Sequence, residues 1–205
     1  MSLRSLRFAL WALVAIVGGA MGGVLYSGGF SGPEQATQQE ARAIGGTFDL
    51  VDHTGAAINQ DALLGSPSVI FFGFTHCPEI CPTTLHDMAG WLEDLGPEGE
   101  AIKSYFVTVD PERDSPEVMN DYVTAFSDRI TGITGSPEKV TEILQNYRVF
   151  AQKVRLGDGD YTMNHSAAIY LLDEEADFVG TISFGEDRET ALQKLKNLAK
   201  RSQTG

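Results

Sequence analysis

Cysteine is scarce in this 205-residue chain: there are two, Cys77 and Cys81, and both fall in one short motif. None is left for a structural disulfide elsewhere, so the thiols serve chemistry rather than architecture. Basic residues are also few, 15 against 28 acids, for a formal net charge of −13. Nucleic acid or an anionic lipid surface would require a basic face, so neither is expected as a partner. An acidic surface serves solubility and permits steering toward a basic protein. Internal repeats are absent, as is any low-complexity block after residue 42. At 42% apolar and 21% charged, the composition is that of a globular protein with one core, neither fibrous nor disordered.

What is there begins with an uncharged stretch over residues 8–26, preceded by Arg4 and Arg7. As a helix it would reach about 28 Å, close to the hydrocarbon thickness of a bilayer. The positive flank predicts that residues 1–7 stay in the cytoplasm and that the remainder crosses. A cleaved signal peptide centred on residues 8–17, with Gly18-Gly19-Ala20 for cleavage, is the competing reading. Apolar character resumes at Val24-Leu25-Tyr26, which favours a retained anchor. Gly18/Gly22 and Gly19/Gly23 have the spacing of helix pairing, a weak signal for a homodimer. Residues 27–44 are rich in Gly, Ser and Gln and read as a flexible tether. The folded domain is expected over residues 45–205.

Within it, residues 48–51, a turn at His53-Thr54-Gly55 and a return near Ile58 suggest two short strands. Residues 68–74 form the continuous apolar run of a strand buried on both faces. Pro82 suits the first position of a helix carrying Leu85, Met88, Ala89, Leu92 and Leu95, ended by Gly96-Pro97. A strand at 105–109 leads to Asp110-Pro111-Glu112-Arg113-Asp114. Ser115-Pro116-Glu117 and Ser136-Pro137-Glu138 then each open a helix, with serine as cap and glutamate facing the positive end of the dipole. Gly157-Asp158-Gly159-Asp160 marks a hairpin between residues 153–155 and 161–163. Residues 166–172 and 178–183 alternate as an antiparallel pair, and a helix over about 188–200 closes the chain. The order β-β-β-α-β-α-β-α-β-β-α implies an α/β, thioredoxin-like plan: a central mixed sheet, parallel at its centre, with helices on both faces. Chemistry in such sheets sits at the carboxyl ends of the strands, where Cys77, Cys81 and Asp110 fall.

Each cysteine precedes a proline, which biases both toward extended backbone and predicts that neither lies inside the helix. Cys77 is expected in the loop and Cys81 at the helix cap, where unpaired amides favour a thiolate. Two such thiolates suit a reversible disulfide, Cu(I) or zinc, and a structural zinc site is disfavoured without a second cysteine pair. Of the four histidines, His165 is read as opening the strand after Asn164, in the region that faces the cysteine loop. A hydrogen-bonded structural role stays open for it beside a ligand role. His76 should point away from Cys77, His86 toward solvent, and His53 lies in a distant turn. Asp114 reads as turn or cap chemistry, and Asp110 as a residue that could orient a ligand or a docking partner.

Taken together, Gly73-Phe74-Thr75-His76-Cys77-Pro78-Glu79-Ile80-Cys81-Pro82, Asp110-Pro111-Glu112-Arg113-Asp114 and His165-Ser166 resemble the Sco/SenC family from about residue 48 to the last helix. The resemblance implies a membrane-tethered copper metallochaperone for cytochrome c oxidase assembly, with Cys77, Cys81 and His165 as ligands. Cu(I) suits two thiolates and an imidazole, and Cu(II) stays open. It implies a copper-bearing oxidase subunit as recipient and a periplasmic thiol reductant to keep the pair reduced. It also implies a single pass through a bacterial inner membrane, with the C-terminal domain in the periplasm. The competing function is an extracytoplasmic thiol–disulfide oxidoreductase or redox sensor using the same pair. A peroxidase ranks third, because the usual Pro-x-x-x-Thr-x-x-Cys spacing is absent.

Overall fold

The computed structural model describes residues 44–157 and 159–201. The expected anchor at 8–26 and nearly all of the tether at 27–44 lie outside the described residues. Among the described residues no helix is long and apolar enough to cross a membrane.

The apolar run forms β3 (Ser68–Gly73), buried at every position, and it organises the rest. The earlier strands are β1 (Asp49–Asp52) and β2 (Ala57–Asn59), and a 3-10 turn at Gln60–Leu63 follows. After β3 come α1 (Ile80–Asp94), a short α2 (Pro97–Glu100), β4 (Lys103–Thr108), α3 (Pro116–Thr124), β5 (Ile130–Thr134) and α4 (Pro137–Asn146). A hairpin of β6 (Ala151–Arg155) and β7 (Tyr161–His165), then β8 (Ala168–Leu172), β9 (Phe178–Ser183) and α5 (Arg188–Arg201) complete the domain.

Seven strands form one sheet in the order β2-β1-β5-β4-β3-β8-β9. β3, β4 and β5 are parallel, β8 and β9 are antiparallel on one side, and β1 and β2 are antiparallel on the other. Sequence patterning implied the parallel centre and the closing hairpin. It did not reveal that β1 joins the far edge through β5, a pairing over some eighty residues of chain. β6 and β7 stand apart as a two-stranded sheet.

The alternation of β3 distributes its aromatic rings to two layers. Phe71 and Phe106 meet at 5.9 Å, and Phe106 meets Tyr122 of α3 at 5.6 Å, so α3 covers that face. Phe72 packs against Tyr147 and Tyr170, at 5.5 and 5.4 Å, beneath the end of α4 on the opposite face. Both serine caps expected from sequence are formed: Ser115 accepts from the Val118 amide, and Ser136 from the Lys139 amide. Gly96 adopts φ 54° where α1 ends, as expected from Gly96-Pro97, a conformation costly for a side chain, and Pro97 also starts α2.

Candidate metal centre

β3 ends at Gly73, and residues 74–79 carry the chain to α1. The Cys77 amide donates to the Phe74 carbonyl at 3.2 Å, which turns the loop back over the strand end. One expectation is corrected here: Cys81 lies inside α1, at its second residue, whereas Cys77 lies outside it. The helix tolerates Pro82 because the first four amides of a helix have no intrahelical acceptor, so proline removes no bond there. One such free amide, that of Cys81, points at Cys77 Sγ at 3.3 Å. Helix geometry therefore favours a thiolate at Cys77 rather than at the residue in the helix.

Cys81 is fully buried and Cys77 half-buried. The Cys77 pKa is drawn down to about 4, chiefly because the Cys81 thiol donates to it, with the Cys81 amide adding to the pull against burial. The Cys81 pKa is pushed up, first because its proton is held in that hydrogen bond and then by burial. The pair shares one proton, with the anion at the accessible sulfur. Gly73 makes room for this: a Cβ there would stand 2.8 Å from Cys81 Sγ and 2.7 Å from the Phe106 ring.

His165 reaches the thiols from a different sheet. The sequence suggested that it opens the strand after Asn164. Instead it closes β7, paired with Ala151, and β8 starts only at Ala168. The hairpin ladder runs to this point, and the Ser166 amide continues it to the Phe150 carbonyl at 3.0 Å. His165 Nδ1 lies 2.9 Å from the Ser166 carbonyl, an acceptor only, so Nδ1 carries the proton. Nε2 keeps its lone pair and faces Cys81 Sγ at 3.4 Å. Phe71 and Phe74 hold the ring edge-on, at 6.2 and 5.7 Å.

The ligand atoms of Cys77, Cys81 and His165 all lie within 4.8 Å of one another. Two sulfurs and one imidazole nitrogen form a soft donor set, suited to Cu(I). Beside Cys77 and His165 opens a cavity of about 390 Å³, lined in part by Phe74, Ile80, Phe150 and Met163.

A sequence profile of the SCO1/SenC family matches residues 36–200. The chain belongs to the SCO1/SenC family. It is 38% identical to a SCO2-like protein of Rickettsia felis, over 75% of this chain and 76% of that one. It is 38% identical to the mitochondrial SCO1 homolog 1 of Arabidopsis thaliana, over 67% of this chain. The chain spans 41% of that protein's length and 52% of the length of mitochondrial SCO2 of Saccharomyces cerevisiae. Among solved structures, Bradyrhizobium japonicum ScoI with copper bound superposes with a TM-score of 0.71 at 41% identity, covering 76% of this chain and 99% of that one.

Asp110 is buried and touches none of the three ligand atoms. Its carboxylate receives Arg113 Nε at 2.5 Å and the Tyr161 hydroxyl at 2.8 Å, which ties it to the start of β7, the strand that ends in His165. His76 is exposed, 3.1 Å from the Thr75 hydroxyl, and His86 is exposed on α1. His53 accepts the Gly132 amide at Nδ1, joining the first turn to β5.

Asp114 does more than the turn chemistry expected of it. It is fully buried and accepts the Thr75 hydroxyl at 2.6 Å, the Thr75 amide at 3.2 Å and the Thr108 hydroxyl at 2.6 Å. It therefore anchors the cysteine loop two residues before Cys77. Burial holds its pKa above the usual carboxylate value. The one sequence signal was a second aspartate in the turn after a strand adjacent to β3. Nothing in the spacing links it to a threonine 39 positions earlier.

Proposed function

We propose that this protein is a Sco-type copper metallochaperone, with Cys77, Cys81 and His165 as its copper ligands and a cytochrome c oxidase copper centre as the destination. The observation that carries the reading is the convergence of two sulfurs and a tautomer-fixed imidazole nitrogen within 4.8 Å of one another. Family membership supports the copper cargo. Softness favours Cu(I), and Cu(II) is a further state the imidazole could help hold. The Cys77 and Cys81 thiolates and His165 Nε2 bind the metal, while the Ser166 carbonyl keeps the Nδ1 proton in place. With three protein ligands, an incoming thiolate from an oxidase subunit has a position to enter. Asp110 acts from behind, orienting β7 through Tyr161.

In this reading residues 8–26 anchor the chain in a bacterial inner membrane, 1–7 stay in the cytoplasm, 27–44 form the tether, and the domain over 45–205 works in the periplasm. A periplasmic thiol reductant keeps the pair reduced, because a disulfide cannot bind Cu(I). The glycine spacing in the anchor offers a contact for a weak homodimer.

The deciding experiment compares wild type with His165→Ala under reducing conditions, counting copper and titratable thiols. The variant should lose stoichiometric Cu(I) binding while Cys77 and Cys81 still form their disulfide. Unchanged copper affinity removes His165 from the ligand set. A second reading, a thiol–disulfide oxidoreductase, is favoured by the asymmetry of the pair: one half-buried sulfur at the surface and a buried one behind it. Disulfide turnover that survives His165→Ala, without copper uptake by wild type, selects it.

A further inference from the structure

The cavity beside Cys77 and His165 is lined by one more sulfur-bearing residue, Met163. Met163 lies two residues before His165 on β7, and both side chains line the cavity together with Cys77. Residues two apart on a strand share a face, with their Cα atoms about 6.8 Å apart. The side chain is partly buried, packed against the core on one side and lining the cavity on the other. Cys81 is fully buried, so a metal ion at the centre can leave only on the side of Cys77, His165 and Met163.

Building on the copper reading, we propose that Met163 is a transit ligand, a soft neutral donor that takes copper from His165 as the ion moves toward the cavity mouth. Methionine has three rotatable bonds beyond Cβ and a polarizable sulfur, so it can follow a moving ion where an imidazole wedged between Phe71 and Phe74 cannot. The step is a ligand exchange without electron transfer. The bond from copper to His165 Nε2 breaks as a bond to the Met163 sulfur forms, and copper keeps its oxidation state. Both donors are neutral, so no charge moves, and the proton stays on His165 Nδ1, donated to the Ser166 carbonyl. The exchange leaves copper on Cys77, Cys81 and Met163, and two of these three, Cys77 and Met163, line the cavity from which an acceptor can reach it.

A space-filling methionine would have the same burial, so the test must separate donor from volume. The full chain in detergent micelles is loaded with one Cu(I) under reducing conditions and challenged with bathocuproine disulfonate, and the release rate is followed by absorbance. Met163→Leu conserves volume and should keep the stoichiometry and the thermal midpoint. It should release copper about tenfold more slowly, the low end for loss of a group that supports a metal's ligand set. Met163→His, a different shape carrying a neutral donor, should restore the rate to within about threefold of wild type. Equal rates for wild type and Met163→Leu overturn the proposal and leave the copper reading standing. Loss of copper stoichiometry in Met163→Leu also overturns it, since Met163 would then be a resident ligand. A wild-type chain that takes up no Cu(I) overturns both.

Discussion

The Asp114 carboxylate receives both the hydroxyl and the amide of Thr75, so the turn after β4 holds the loop that presents Cys77. Removing that acceptor strands the buried Thr108 hydroxyl and the half-buried hydroxyl and amide of Thr75. Asp114→Ala should cost about 3 kcal/mol in urea denaturation and weaken Cu(I) binding through a looser loop. A stability loss with unchanged copper affinity would confine Asp114 to the scaffold.

The same residue has a pH signature. Burial raises its pKa, so the folded domain binds that proton more tightly than the unfolded chain does. Its contribution to stability is therefore complete below the unfolded value of 3.8 and is lost as pH rises through the raised folded value. Asp114→Asn cannot titrate. Urea midpoints of the two proteins, compared across that window, should show the wild type losing ground to the variant as pH rises.

Gly73 supports the centre by having no side chain. A methyl group there would meet an aromatic ring and the Cys81 sulfur well inside van der Waals contact, and neither can move freely in the core. Gly73→Ala should cost about 1–3 kcal/mol and shift the buried thiol, lowering Cu(I) affinity. Chemical denaturation and a copper competition titration read the two effects separately.

Local chemistry made part of this legible from sequence. The prolines beside Cys77 and Cys81, the apolar run of β3 and the serine caps of α3 and α4 act within a few residues, and their spacing reveals them. The family resemblance added the pairing of His165 with the cysteines, 84 positions away from Cys81. Asp114 with Thr75, Gly73 with Cys81 and Asp110 with Tyr161 depend on which strands become neighbours, and no local pattern encodes that. The misplacement of Cys81 has a local cause: the bias of a residue before proline against helix is weaker than the freedom of a first turn with no amide bonds to lose.

The shared proton of the thiol pair sets an alkylation profile. The Cys77 pKa is lowered to about 4, so in the metal-free, reduced protein its thiolate is populated from mildly acidic pH upward. The Cys81 pKa is raised and its side chain buried. Iodoacetamide at pH 6 should label Cys77 alone, at a rate that changes little up to pH 8 and falls as pH drops toward 4. Copper loading should abolish the labelling. Mass spectrometry of the labelled peptide checks the site, and equal modification of both cysteines would contradict the asymmetry.

Tyr161 tests what Asp110 does. The buried carboxylate has no route to a docked protein except through the groups it holds, Arg113 and Tyr161, whose ring lies 3.8 Å from the Arg113 guanidinium. Tyr161→Phe keeps the ring and removes one hydrogen bond to a buried charge, which should cost about 1–2 kcal/mol. If that bond sets the position of β7, His165 shifts at the other end of the strand and Cu(I) affinity falls about tenfold, the scale of a lost outer-shell contact. If the turn serves docking instead, affinity stays level while copper delivery to an oxidase subunit slows. Competition titration and a transfer assay on one variant separate the two, and the direct tie between Asp110 and the strand of His165 favours the first.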